Sequence, residues 1–224
     1  MKTYLDQDEI WLIESSTTCL RDKLLIRILS RLGCRVSEAL AIKYANIDFH
    51  QNTVSIIHLK RTIKLNCPLC KSPLAIKHRY CPGCATEIIQ TLKKEQEKRR
   101  IRILPVDIST LALLKEYIRN QGIDKSSNQR LFNISRHRAW QIVRDCARRA
   151  NIPSLLNPET GKVRGISPHR LRDAFSVNAV KVDDSGDGLR MLQEHLGHAN
   201  FNTTARYRKV SGDEHRDWYQ RLWK

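Results

Sequence analysis

Leu20, Leu24, Leu25, Ile28, Leu29 and Leu32 recur at the 3.6-residue spacing of a helix with one apolar face, and Gly33 stops the pattern. Upstream, Asp6 and Glu9 have the spacing of a capping box that opens a short helix. "RVSEALAI" resumes helical spacing. "IDFHQNTVSIIHL" then predicts two short strands around a His-Gln-Asn turn, and "RRIRILPV" supplies a third strand. Five more stretches predict successive helices, several opened by Ser, Asp or Asn: "ISTLALLKEYIRN", "SRHRAWQIVRDCARRA", "SPHRLRDAFSVNAV", "DGLRMLQEHLG" and "NTTARYRKV". A last amphipathic stretch, "GDEHRDWYQRLWK", ends the sequence, and no internal repeat or low-complexity segment stands out. The pattern predicts a mainly α fold with a small antiparallel β-sheet (α+β).

With 224 residues, 41% of them hydrophobic and 28% charged, the chain can bury one full core and a small satellite. It contains no apolar run long enough to span a membrane, and "MKTYLDQDEIWL" lacks the apolar stretch of an export signal, so a soluble, cytoplasmic protein is expected. Forty Lys and Arg against 23 Asp and Glu leave a net charge of +17. That excess concentrates a polyanion and neutralises phosphates through counterion release, which makes nucleic acid the leading partner over a basic surface kept for solubility.

The seven cysteines divide unevenly. Cys67, Cys70, Cys81 and Cys84 form C-x2-C-x10-C-x2-C, the spacing at which two knuckles aim four sulfurs at one point. Pro68 and Pro82 stiffen the knuckles and Gly83 permits a tight turn. One structural Zn2+ is expected; two disulfides are the alternative, disfavoured without an export signal. Four thiolates leave no open coordination position, so no catalytic metal is expected there. His78, between the knuckles, is a further candidate ligand, a solvated histidine being the other reading. Cys19, Cys34 and Cys146 fall in helix-like contexts as packed or idle residues. The module interrupts a β-hairpin, between a strand ending near Lys60 and one beginning near Arg100.

In "SPHRLRD", Pro168 takes the first helical position after a Ser167 cap, and His169 and Arg172 fall three apart at the helix N-terminus. Free N–H groups, the helix dipole and a guanidinium fork together suit a phosphate. Alone, H-x-x-R is a weak motif. Its companions are "RLGCRVSEAL" upstream and "LGHANFNTTARYRKV" downstream.

Taken together, these segments resemble the catalytic domain of the tyrosine recombinase, or phage integrase, family, in family order from about Asp6 to Val210. The resemblance implies that Arg35 and Arg172 clamp a scissile phosphate and that Tyr207, nine residues after His198, is the nucleophile. It places the hairpin lysine at Lys60, with Arg61 and Lys64 as competitors, gives the histidine positions to His169 and His198, and makes Glu38 an orienting acid. Asp173 stands where the family often has histidine, a tolerated variation, and His195 lies outside the motif, as a surface residue. The loop "KVDDSGDG" is longer and more acidic than usual.

The chemistry implied is a phosphodiester displacement. Two Arg stabilise the charge developing on the non-bridging oxygens, and His198 donates to one of them. The phenol of Tyr207, ordinarily of pKa about 10, gives its proton to His169, while Lys60 protonates the departing 5′-oxygen. A 3′-phosphotyrosyl intermediate conserves the bond energy, so neither nucleotide nor catalytic metal is required.

The resemblance frames the whole of 1–224 as a single catalytic domain, with an inserted zinc-ribbon-like module at 65–99 and a tail helix at 211–224. Arg136, Arg138, Arg144, Arg148 and Arg149 can line a DNA backbone groove while Trp140, Ile142, Val143 and Cys146 face inward. Lys71, Lys77 and Arg79 of the module suit phosphate contact, with hairpin stabilisation as the other reading, and "KKEQEKRRIR" is a solvated strand entry or a phosphate contact. Trp218, Leu222 and Trp223 give the tail an apolar stripe, for docking on its own domain or on a neighbour in a dimer to tetramer on DNA. The catalytic pattern begins within ten residues of Met1, so the chain is expected to be a minimal recombinase of the fimbrial-inversion kind or a catalytic fragment. Two other functions fit parts of the pattern: a type IB topoisomerase, and a non-catalytic zinc-ribbon DNA-binding regulator.

Overall fold

The computed structural model describes residues 2–57, 65–75, 78–88, 101–123, 128–157, 160–208 and 219–223. They divide into two compact units, one of Met1–Ile56 with Arg102–Lys224 and one of Ile57–Ile101. The larger unit is helix-rich with a small antiparallel sheet, the α+β class expected.

The first helix, α1 (Gln7–Ser15), opens on the Asp6–Glu9 capping box: Asp6 accepts from the Glu9 amide and Glu9 from the Asp6 amide. The leucine stripe forms α2 (Leu20–Arg31), whose Leu24, Leu25, Ile28 and Leu29 are fully buried at the centre of the core. Beyond it Gly33 adopts φ +54, and a Cβ at that position would overlap the ring of Phe175. The chain turns there into α3 (Val36–Ala39), so Arg35 caps a short helix beside the end of α2.

β1 (Ile47–Asp48) and β2 (Thr53–Ile57) pair antiparallel in the register Ile47 to Val54, and β5 (Ile101–Pro105) completes the sheet in the order β1-β2-β5. Two long helices follow: α4 (Ile108–Gln121), capped by Asp107, and α5 (Arg136–Arg149), capped by Ser135. A two-stranded hairpin, β6 (Leu155–Leu156) with β7 (Val163–Arg164), had no counterpart in the hydrophobic pattern, its strands being only two residues each. Then come α6 (Pro168–Val182), α7 (Gly186–Leu196) and α8 (Phe201–Ala205), the last continued by a 3-10 turn at Arg206–Arg208. The three pack in sequence, α6 also lying on α2, and Val180, Leu189, Leu192 and Leu196 form a small second core against Phe175 and Tyr207.

Two details depart from the sequence expectation. Ser167 occupies the N-cap of α6 without its side chain making a capping hydrogen bond. Trp140 does not face inward: it is exposed, sandwiched between His137 and the guanidinium of Arg144, whereas Ile142, Val143 and Cys146 are buried as expected.

In the smaller unit, β3 (Leu65–Asn66) and β4 (Pro73–Leu74) form an antiparallel ladder, and Cys67, Cys81 and Ile88 are its buried centre. Among the described residues, no helix is long and apolar enough to cross a membrane.

Candidate active site

The residues that matter come from the ends of elements packed around one guanidinium. Arg172, on the first turns of α6, is 2% exposed. Its Nη1 donates to the carbonyl of Gly33 at 2.6 Å, and its Nη2 donates to the carbonyl of Leu196 at 2.9 Å and to Nε2 of His198 at 3.0 Å. The free carbonyl ends of α2 and α7 thereby receive a cation, the sign their helix dipoles favour.

The Leu-Gly-His segment has a matching mechanical logic. Leu196 is buried and presents its carbonyl to Arg172; Gly197, at φ +65, is the left-handed cap that ends α7; and the reversal drops His198 onto the same guanidinium. A Cβ on Gly197 would press against the side chain of Arg102. Arg can only donate, so Nε2 of His198 is the acceptor, and Nδ1 carries the proton to Thr204 Oγ1 at 2.9 Å. Burial, reinforced by the charges of Arg172, Arg35 and Arg102, lowers the His198 pKa to about 4. In this state His198 is neutral at physiological pH.

Arg35 is set by Glu38. The Glu38 carboxylate is buried and accepts from the Arg35 amide at 2.9 Å, from Arg35 Nη1 at 3.0 Å and from Arg102 Nη2 at 2.9 Å. Arg102 reaches there from β5 and also donates to the carbonyl of His195. It is the last residue of "KKEQEKRRIR", and at 10% side-chain exposure it is not solvated: the run's other charges cannot predict that one member folds inward. Burial raises the Glu38 pKa, but the Arg35 amide and the two guanidinium charges outweigh it and hold the carboxyl below its ordinary 4.5.

Tyr207 lies on the 3-10 turn, half-buried, its ring stacked on His198 with centroids 6.3 Å apart. Its hydroxyl donates to Asp173 Oδ1 at 3.2 Å. Burial first, then the Asp173 charge, pushes its pKa up to about 12. His169, the expected proton acceptor, is 75% exposed at its side chain and meets Asp173 at 3.7 Å; among the described residues it makes no hydrogen bond with Tyr207. Asp173 therefore stands between them, and treating it as tolerated variation missed it. His195 is likewise no surface residue: it stacks on Phe175 and bonds the carbonyl of Leu32 at 3.0 Å, tying α7 to α2. Lys60, Arg61 and Lys64 lie outside the described residues, as does Lys77. Arg136, Arg138, Arg144 and Arg148 are exposed along α5, and Lys71 and Arg79 are exposed in the smaller unit.

The four module cysteines converge. Their sulfurs all lie within 4.8 Å of one another, with Cys67 to Cys84 at 3.5 Å and Cys70 to Cys81 at 3.4 Å. A tetrahedron of Zn–S bonds of about 2.3 Å needs sulfurs roughly 3.8 Å apart, which this cluster matches. The two knuckles are the same turn made twice. Cys67 and Cys81 each donate their amide five residues on, to Ser72 and Thr86, and each accepts from the residue four on, Lys71 and Ala85. Lys71 and Ala85 take the same left-handed conformation, φ 60 and 55. Ser72 and Thr86 also place a hydroxyl 3.2 Å from the second cysteine of their own knuckle. "CPLCKS" and "CPGCAT" carried this signal in the sequence. His78 is not in the cluster; its Nδ1 accepts from the Ala75 amide.

The family profile of the phage integrases matches residues 4–214. The chain belongs to the phage integrase family. Among curated proteins it is 28% identical over 192 residues to tyrosine recombinase XerD of Neisseria meningitidis serogroup B, covering 86% of this chain and 51% of that one. It is 26% identical over 206 residues to tyrosine recombinase XerC of Staphylococcus aureus strain JH9, covering 92% and 54%. The chain thus spans about half the length of these relatives. Of solved structures, XerA recombinase matches with TM-score 0.64 at 19% identity, over 99% of this chain and 64% of that one. XerH site-specific recombinase bound to its difH substrate matches with TM-score 0.60 at 18% identity, over 100% and 54%. These likenesses establish the fold of this phage integrase domain.

Replacing Glu38 by Gln removes the buried carboxylate that Arg35 and Arg102 share and should cost about 3 kcal/mol at pH 7. The carboxyl is held low in the folded state, so its contribution is complete above the unfolded value of 4.5 and fades as pH falls through the lower folded value. Urea unfolding midpoints of wild type and Glu38→Gln should therefore differ at pH 7 and converge toward pH 3.

Proposed function

We propose that this phage integrase domain is the catalytic domain of a site-specific tyrosine recombinase, cutting and rejoining duplex DNA through a 3′-phosphotyrosyl intermediate. The observation that carries the reading is the assembly of Arg172, His198 and Tyr207, from three separate elements, on one buried cation with Arg35 close by. A guanidinium has five N–H donors, of which Arg172 uses three, on Gly33, Leu196 and His198; two remain for a phosphate. Arg35 supplies the second clamp, its own geometry fixed by Glu38. The pair would stabilise the extra charge of an in-line displacement by Tyr207.

His198 sits neutral while Arg172 donates to it. Burial first and the positive field after it depress its pKa; a phosphate arriving between Arg35 and Arg172 offsets that field and favours a protonated His198 that donates to a non-bridging oxygen. Lys60 is the proposed acid for the departing 5′-oxygen. The XerH neighbour was solved on its difH DNA substrate, which supports duplex DNA as the partner here. The exposed Arg136, Arg138, Arg144 and Arg148 are the proposed backbone contacts of α5, and Lys71, Lys77 and Arg79 of the inserted module are proposed as phosphate contacts in their own right. Assembly as a dimer to tetramer on DNA would use the tail at 211–224, whose Leu222 and Trp223 are exposed.

Cys67, Cys70, Cys81 and Cys84 are the proposed ligands of one structural Zn2+, with the module spanning 65–99. Bound there, the ion would cross-link the two knuckles, whose buried centre among the described residues is Cys67, Cys81 and Ile88. No step of the strand transfer passes through it.

Two experiments test the proposal. A nicked suicide duplex carrying the native site should give a covalent protein–DNA adduct with wild type and none with Tyr207→Phe; no wild-type adduct, or one that survives the substitution, overturns it. Elemental analysis of the purified chain should find one zinc per molecule, lost in Cys67→Ser. A zinc-free protein with an intact module would refute the metal assignment.

A further inference from the structure

The strand-transfer reading leaves the nucleophile's proton without a direct acceptor among the residues first considered, because His169 does not reach Tyr207. The group that does is Asp173. Its carboxylate sits one residue beyond Arg172, on a side chain 13% exposed, and receives the Tyr207 hydroxyl at 3.2 Å. On its other sides lie His169 Nε2, 3.7 Å from Oδ1, and Arg170 Nη1, 3.7 Å from Oδ2. Among the described residues, no other carboxylate hydrogen-bonds the phenol.

We propose that Asp173 is the general base of the reaction, taking the phenolic proton of Tyr207 as its oxygen attacks phosphorus and passing it through the exposed His169 to water. This rests on the recombinase reading and adds to it a residue that no resemblance assigns. The step balances. The Tyr207 O–P bond forms as the P–O5′ bond breaks, the phenolic proton moves to the Asp173 carboxylate, and the leaving oxygen is protonated separately by the hairpin acid. On rejoining, Asp173 takes a proton back from water through His169 and returns it to the Tyr207 oxygen as the O–P bond breaks.

The surroundings suit the role. Asp173 is on α6 and cannot move far, since the same helix turn carries Arg172 on its two carbonyl anchors. Burial raises its pKa and so its basicity, while the charges of His169 and Arg170, the Tyr207 hydrogen bond and the charge of Arg172 oppose the rise. His169, three-quarters exposed at its side chain and 3.7 Å from Asp173 Oδ1, is placed to exchange that proton with solvent. The same contact explains the resting state: the Asp173 charge is the second cause, after burial, of the raised Tyr207 pKa, so the free enzyme holds the nucleophile protonated.

Single-turnover cleavage of the nicked suicide duplex, followed from pH 5 to 9, tests this. Wild type should show one rise at the acid end and a level rate above it. Asp173→Asn keeps an oxygen for the hydrogen bond but cannot take the proton. Its rate should fall by about a hundredfold or more at pH 7, then climb tenfold per pH unit as the phenol ionises unaided. Asp173→His restores a titratable base and should recover at least a tenfold part of the loss. Asp173→Asn cleaving at the wild-type rate with the wild-type profile overturns the assignment alone, as does a wild-type rate that climbs steadily to pH 9, which needs no variant to fold. A wild-type chain that forms no adduct overturns the recombinase reading and this assignment with it.

Discussion

A single buried cation holds the site together. Arg172 carries its charge into the packed junction of α2, α6 and α7 without a direct carboxylate partner among the described residues, and donates to two helix-end carbonyls and one imidazole. Burying a guanidinium is costly unless its donors are met, so the carbonyls of Gly33 and Leu196 are structural necessities before they are anything else. Their consequence is positional. The two chain reversals at Gly33 and Gly197 are fixed against the same group, and each is followed by a functional side chain: Arg35 two residues after the first, His198 directly after the second.

Around this cation the charges are arranged in a second layer. Glu38 is the buried counter-charge, and it serves Arg35 and Arg102 together. Arg102 extends the network to the end of α7 through the His195 carbonyl, while His195 itself closes back on the end of α2. The result is a ring of contacts that joins α2, α3, β5, α6 and α7 around Arg172, and under the proposed function its donors are oriented before a phosphate arrives. Such preorganisation is the larger part of electrostatic catalysis, because dipoles already oriented are not reoriented during reaction.

The helices were legible in the sequence because their signals are local: the Leu20-to-Leu32 stripe, the Asp6–Glu9 box, and the glycine stops at 33 and 197. Arg35, Arg172, His198 and Tyr207 were legible as motif positions, their spacing set by the same helix ends. The partners that tune them were not. Arg102 was one basic residue in a basic run, Asp173 and His195 looked incidental, and Thr204 was one of two adjacent threonines; each takes its role from a contact across the fold, at sequence separations from 6 to 163. The β6–β7 hairpin was invisible for a different reason, since two-residue strands carry no periodicity.

The central claim is that one guanidinium both locks the fold at this junction and binds the reacting phosphate. Arg172→Lys separates the two roles from mere charge, since an ammonium keeps the cation but not the planar fork. Measured on the same preparation, urea unfolding and single-turnover cleavage of a nicked duplex should both suffer: a loss of about 1–3 kcal/mol from unsatisfied carbonyls, and a rate lower by about a hundredfold or more. A lysine variant as stable as wild type, or one that cleaves at the wild-type rate, would contradict the account.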